Sequence, residues 1–216
     1  MTRKIDRRQA LSAFGTVSLA ALLAGCGDER TPTTTTGFGD SSRCTLTPEM
    51  TEGPYYFDAD SIRSDIRDER EGTTLRLAIR VRDSDCKPLP DAVVDIWHCD
   101  ALGEYSTSDA PFLRGAQVTN RDGIVEFTTI YPGWYQGRTV HIHAKVHLDT
   151  STVLTTQLFF DDGVTAAVYG RAPYTRHTGR DILNSDDGIF DETLLLDVSR
   201  DGDAYDATIS FDVAAA

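Results

Sequence analysis

From Leu75 to Val213 the chain is a series of short apolar runs separated by turn signals, and the runs alternate rather than follow a helical repeat. In residues 75–82 (Leu-Arg-Leu-Ala-Ile-Arg-Val-Arg) apolar and polar side chains alternate with a period near two, as in a strand with one buried face. A second run, 92–97, follows a turn marked by Pro88 and Pro90, and a third, 125–130, follows Asn120-Arg-Asp-Gly123. Residues 140–148 alternate again, and 155–160, 194–198 and 207–213 complete the set. Between the last two, Arg200-Asp-Gly-Asp203 reads as a hairpin turn, because glycine reaches the left-handed conformations that tight hairpins need. Helical spacing is weak everywhere except 162–169. The pattern predicts an all-β fold, a β-sandwich of about seven to eight short strands with long loops around the chemically active positions.

The N-terminus departs from this pattern. Arg3, Lys4, Arg7 and Arg8 precede an unbroken run of small and apolar residues at 13–24, which ends at Gly25-Cys26. A membrane span needs about 20 apolar residues, so this run suits the core of an export signal better than a bilayer helix. The Arg7-Arg8 pair resembles a twin-arginine signal, and Leu23-Ala-Gly-Cys26 resembles a lipobox whose cysteine is acylated after cleavage. Residues 27–43, with four consecutive threonines at 33–36, have little to pack and read as a flexible tether. The expected organisation is an export signal over 1–26, a tether over 27–43 and a folded domain over 44–216. The protein would then be held on the outer side of a bacterial membrane through lipidated Cys26.

Charge narrows the partners. Across 216 residues, 34 acidic side chains outnumber 21 basic ones, giving a net charge of −13. This charge argues against nucleic acid as a partner, since phosphate binding rests on a basic face. With Cys26 committed to lipid, Cys44, Cys86 and Cys99 remain, and an oxidising compartment favours one disulfide and one thiol. Three pairings exist; Cys86–Cys99 is favoured because the two flank the start and exit of one strand. No Cys-x-x-Cys spacing points to a thiolate metal site.

The chemistry is concentrated between Trp97 and Gln157. In His141-Ile142-His143, residues two apart on a strand share a face, so both imidazoles project together and could bind iron, zinc or copper. His147 has the same parity and is either a third ligand or a surface residue. Tyr105 and Tyr135 sit in loops nearby in sequence, and phenolate is a hard anionic donor that suits Fe(III). Trp97 reads as core, His98 as its neighbour without a ligand role, and His177 as a polar-loop residue.

Several motifs occur together in order: Gly-Pro-Tyr-Tyr at 53–56, Asp-Ile-Trp-His-Cys-Asp-Ala-Leu-Gly-Glu-Tyr-Ser at 95–106, Pro-Gly-Trp-Tyr at 132–135, Arg-Thr-Val-His-Ile-His at 138–143 and Leu-Thr-Thr-Gln at 154–157. In this order they resemble the intradiol ring-cleavage dioxygenases, which act on catechol, hydroxyquinol and protocatechuate. The resemblance implies Fe(III) bound by Tyr105, Tyr135, His141 and His143. It implies a small aromatic diol and O2 as reactants, and a cis,cis-muconate-type diacid as product. Tyr135 would also accept a substrate proton, Arg138 would stabilise anionic character beside the iron, and Gln157 would support the site. Pro54 and Tyr55 would line the substrate pocket.

Only five residues separate Tyr135 from His141, fewer than in better-known members, so a more open site is expected. The helical region through which the catechol enzymes dimerise has no counterpart in 27–43, which leaves the oligomeric state open. The alternative is a cell-surface binding module of the same fold without activity. A third possibility, Fe(II) held by His141, His143 and a carboxylate, leaves both tyrosines without a role.

Overall fold

The computed structural model describes residues 37–38, 44–149 and 151–214. The expected export signal, Cys26 and most of the expected tether lie outside the described residues. Among these residues eight strands form two four-stranded sheets. β1 (Thr74–Asp83), β4 (Ile124–Ile130), β7 (Asp197–Asp201) and β8 (Ala204–Val213) make the first, in the order β4-β1-β8-β7. β2 (Val93–Trp97), β3 (Arg114–Val118), β5 (His141–Leu148) and β6 (Ser151–Phe159) make the second, in the order β3-β2-β5-β6. Neighbours are antiparallel except β1 and β8, which run parallel.

The core follows from strand parity. Leu75, Leu77, Ile79 and Val81 of β1 are buried and pack in one cluster with Val94 and Ile96 of β2 and Ile142, Ala144 and Val146 of β5. On β5 the intervening residues are His141, His143, Lys145 and His147, so the polar parity faces away from the partner sheet. The functional residues therefore occupy the outer face of the second sheet. There an N-terminal arm (residues 44–57) and the loops at 98–113, 131–140 and 181–190 cover them.

Among the described residues helix is confined to α1 (Asp162–Tyr169) and short 3-10 turns, and no helix there is long and apolar enough to cross a membrane. Asp161 caps α1, its carboxylate accepting from the backbone N–H groups of Gly163 and Val164.

Two expectations need correction. The run at 194–198 is not one strand: Glu192–Leu194 is a 3-10 turn and β7 begins only at Asp197. Leu194 and Leu196 are buried, and Leu195 forms a single bridge with Phe159, so packing against β6 takes this segment before β8 does. The disulfide joins Cys44 to Cys86, with Cα atoms 5.4 Å apart, and Cys99 is a buried thiol. Cys86 and Cys99 do flank β2, and that is what separates them. Even the strand between them covers four steps of about 3.3 Å, beyond the roughly 7 Å a disulfide can bridge.

Candidate active site

One row of paired residues crosses the outer face of the second sheet. Trp97 of β2 pairs with Arg114 of β3 on one side and with His143 of β5 on the other, and His143 pairs with Gln157 of β6. His141, two residues back on β5, pairs with Phe159. The strand therefore delivers both imidazoles to one face, and loops deliver the two phenols above them.

The four polar tips converge. Tyr135 Oη lies 3.0 Å from His141 Nε2, and His141 Nε2 lies 3.1 Å from His143 Nε2. Tyr105 Oη lies 3.1 Å from His143 Nε2 and 3.5 Å from His141 Nε2. His141 Nδ1–H donates to the Thr139 carbonyl at 2.7 Å, which leaves the Nε2 lone pair facing the cluster. His143 is held by packing instead: its ring stacks on Trp97, with centroids 4.9 Å apart and planes 5° from parallel. Above it runs the arm at Gly53. With φ at +70°, a Cβ there would come 3.2 Å from His143 Cε1, so glycine lets the backbone pass.

Burial sets the protonation of this cluster. It pushes His141 down to about 3, with help from the positive charge of Arg138, and pushes His143 well below the usual histidine range. Burial also raises both phenols, Tyr105 strongly. Without a counter-charge the site thus holds two neutral imidazoles and two neutral phenols. Four lone-pair donors within hydrogen-bond distance of one another fit a cation, because ligands bound at about 2.0–2.2 Å lie about 3 Å from their neighbours. The fit requires the tyrosines: among the described residues no group of three His, Cys, Asp or Glu side chains could hold a metal.

Around the cluster, Arg138 Nη2 donates to Gln157 Oε1 at 2.6 Å, and Gln157 Nε2 donates to the Thr51 carbonyl of the arm at 2.9 Å. Arg138 Nε donates to Asp187 Oδ2 at 2.8 Å. Tyr55 stacks on Tyr105, with centroids 4.3 Å apart and 11° between planes, and stays 45% exposed, so it forms the outer wall with exposed Pro54 beside it. Arg114 ties that wall down by donating to the Tyr55 carbonyl (3.1 Å) and to Ser106 Oγ (2.7 Å).

The structure therefore brings together Tyr105, Tyr135, His141, His143, Arg138, Gln157 and Tyr55. It does not add His147, whose Nε2 lies 3.3 Å from Asp95 beyond a register shift at Val146/His147. Trp97 is both core and site, buried yet forming the wall behind His143. His177 braces the Tyr135 loop: its ring stacks on Trp134 and its carbonyl accepts from Trp134 Nε1 at 2.9 Å. Sequence reasoning passed over Thr139, Asp187 and Arg114. Of these only Thr139, two residues before His141 in the loop that leads into β5, carried any local signal.

Comparison with known families matches residues 47–168 to the Dioxygenase family, more than half of the chain. The chain belongs to the intradiol ring-cleavage dioxygenase family. It is 31% identical over 120 residues to a chlorocatechol 1,2-dioxygenase of Rhodococcus opacus, covering 44% of this chain and 47% of that one. It is 33% identical over 141 residues to a catechol 1,2-dioxygenase of Acinetobacter baylyi, covering 52% and 45%. The chain thus spans about half the length of the curated relatives it matches. Solved structures align more completely. An intradiol ring-cleavage dioxygenase from Tetranychus urticae superposes with a TM-score of 0.75 at 32% identity, covering 79% of this chain and 95% of its own. The dioxygenase domain of a carbohydrate-binding fusion protein from Streptomyces sp. SirexAA-E gives 0.64 at 34% identity, covering 80% and 100%. The family match ends at residue 168, so Asp187 and its loop lie outside it.

Proposed function

We propose that this chain is an iron(III)-dependent intradiol dioxygenase that opens a catechol-type ring with O2 to a cis,cis-muconate-type dicarboxylic acid. The convergence of Tyr105, Tyr135, His141 and His143 carries the reading. Iron(III), when held by these four side chains, would chelate the diol as a dianion and activate the ring toward O2. The phenols need a cation to ionise in so buried a place, and two phenolates are suitable counter-charge for a trivalent ion.

The chain's own residues do the rest. Tyr135 belongs to a loop whose next two residues, Gln136 and Gly137, are exposed, so its phenolate oxygen is placed to take one of the two diol protons. Arg138 supplies fixed positive charge where the substrate becomes anionic, and Gln157 holds its Nη2 end. Tyr55 and Pro54 form the outer wall against which the ring packs. Because nearly half of Tyr55 is open to solvent, substituted catechols fit the reading as well as catechol itself.

We also propose that the protein works outside the cytoplasm, tethered through Cys26. The Cys44–Cys86 disulfide supports an oxidising compartment.

The decisive experiment is visible absorption of the iron-loaded full chain before and after anaerobic addition of catechol. The expected result is a broad tyrosinate-to-iron(III) band that moves to longer wavelength with catechol, and a Tyr135→Phe variant with altered colour and impaired turnover. A colourless protein that holds iron would remove both tyrosines from the metal and sink the mechanism. A protein that binds a catechol but no iron would favour the inactive binding module.

A further inference from the structure

We propose that Asp187, on a loop beyond the stretch that matches the family, is the positioning residue that aims Arg138 at the site. The inference rests on the proposed function for what Arg138 acts upon, while the pairing itself belongs to the fold.

An arginine reaches its target through a flexible stem, so its usefulness depends on what fixes the planar guanidinium. Two bonds fix this one, Nε to Asp187 Oδ2 at 2.8 Å and Nη2 to Gln157 Oε1 at 2.6 Å. Holding Nε and one Nη sets the plane of the fork, and among the described residues Nη1 is left without a hydrogen-bond partner. The carboxylate is itself immobile. The Asp187 side chain is 3% exposed, and it also accepts from the backbone N–H of Thr139 (2.9 Å, to Oδ2) and of Ile189 (3.1 Å, to Oδ1). Burial alone would raise its pKa, but these N–H donors and the guanidinium outweigh it and hold it below the usual carboxylate range. It therefore stays charged and paired.

The neighbours of Asp187 grip the same stretch of chain. Asn184 Oδ1 accepts from the Thr139 hydroxyl at 2.6 Å, while its Nδ2 donates to the Phe160 carbonyl at 2.8 Å. Asp181 Oδ2 accepts from Gly137 N–H at 3.2 Å. Residues 137, 138 and 139 are thus each held by the 181–187 segment, immediately before the strand that carries His141. A purely structural loop cap would need the Thr139 and Ile189 contacts alone. The bond to Arg138 Nε is what a cap would not require.

The test begins with the full chain stripped of metal by a chelator and labelled with 15N-arginine. The Arg138 Nε–H signal, identified by its loss in Arg138→Gln, should exchange slowly with solvent and exchange about tenfold faster in Asp187→Asn. With iron restored, Asp187→Asn should lower kcat for catechol by about ten- to a hundredfold with little change in KM. In the Arg138→Gln background the same substitution should cause no further loss, as expected of residues acting as one unit. A full additional loss in that background would assign Asp187 a structural role and overturn the proposal. A wild-type Nε–H exchanging as fast as that of a free arginine would overturn it without any variant. Should the wild type cleave no catechol, the functional reading fails, and the exchange measurement still decides whether Asp187 orients Arg138.

Discussion

His98 is fully buried, with Nδ1–H donating to the Cys99 carbonyl (2.8 Å) and Nε2 accepting from the Thr129 hydroxyl (2.7 Å). Both nitrogens are satisfied by a neutral ring, and burial pushes its pKa down to about 4. As pH falls below about 6.5 the unfolded chain takes up a proton here that the folded chain refuses, until about pH 4. Stability contributed by the neutral ring is therefore complete above pH 6.5 and lost across that window, by about 3 kcal/mol. Urea unfolding of wild type and His98→Gln should show their stability difference shifting by that amount between pH 7 and pH 4; a constant difference would refute the assignment. At this scale the sequence was informative where spacing is local. The His-x-His pair had to share a face on a strand, and it does. It could not reveal that Asp187 pairs with Arg138, because the two are 49 residues apart and nothing near either one marks the other. Nor could parity exclude His147, which a bulge and Asp95 take out of line.

Among the described residues six of the eight strands were legible as short apolar runs between turn signals, two of them alternating, and α1 occupies the one stretch with helical spacing. β3 was not. Its Arg-Gly-Ala-Gln-Val sequence has no alternation, and Gly115 is there because a Cβ would lie 2.8 Å from Ile66. The strand exists because β2 needs a partner, a tertiary reason that local pattern does not contain. β7 was displaced by three residues for a similar cause, the burial of Leu194 and Leu196. Least legible was the arm. Met50 N–H donates to the Thr155 carbonyl, the Thr156 hydroxyl donates to the Pro48 carbonyl, and Lys145 pairs with Glu52, so residues 48–52 are laced to the strands beneath. The disulfide closes a separation of 42 residues between this arm and the turn after β1. Cross-linking a loop of that length restricts the unfolded chain by about 4 kcal/mol, so Cys44→Ser should lower the urea-unfolding free energy by about that amount. A loss below about 1 kcal/mol would mean that the arm's other contacts already hold it.

At the scale of the molecule, a buried ion pair ties β1 to β8. Arg82 donates from Nε (2.8 Å) and Nη2 (3.1 Å) to the two oxygens of Asp212, and both residues are buried. Removing one partner strands a buried charge, so Asp212→Asn should cost about 3–5 kcal/mol, read from thermal unfolding; a change within about 0.5 kcal/mol would show that water reaches the pair. The same residue carries the arm, since its carbonyl accepts from Thr47 N–H and its own N–H donates to the Thr47 hydroxyl. That contact joins positions 165 apart. On the ribosome, the wall of the active site is therefore among the first parts of the domain to be made. It docks on β5 and β6 through residues 48–52, and only its contact at Thr47 waits for the final strand. Tyr55 and Gly53 rest on Tyr105, Arg114 and His143, so the wall can assemble with the histidine strand before the two ends of the domain meet at Thr47 and Asp212. A nascent chain cut short before β8 would therefore carry the candidate site with its wall in contact but without the Thr47 anchor that closes the domain.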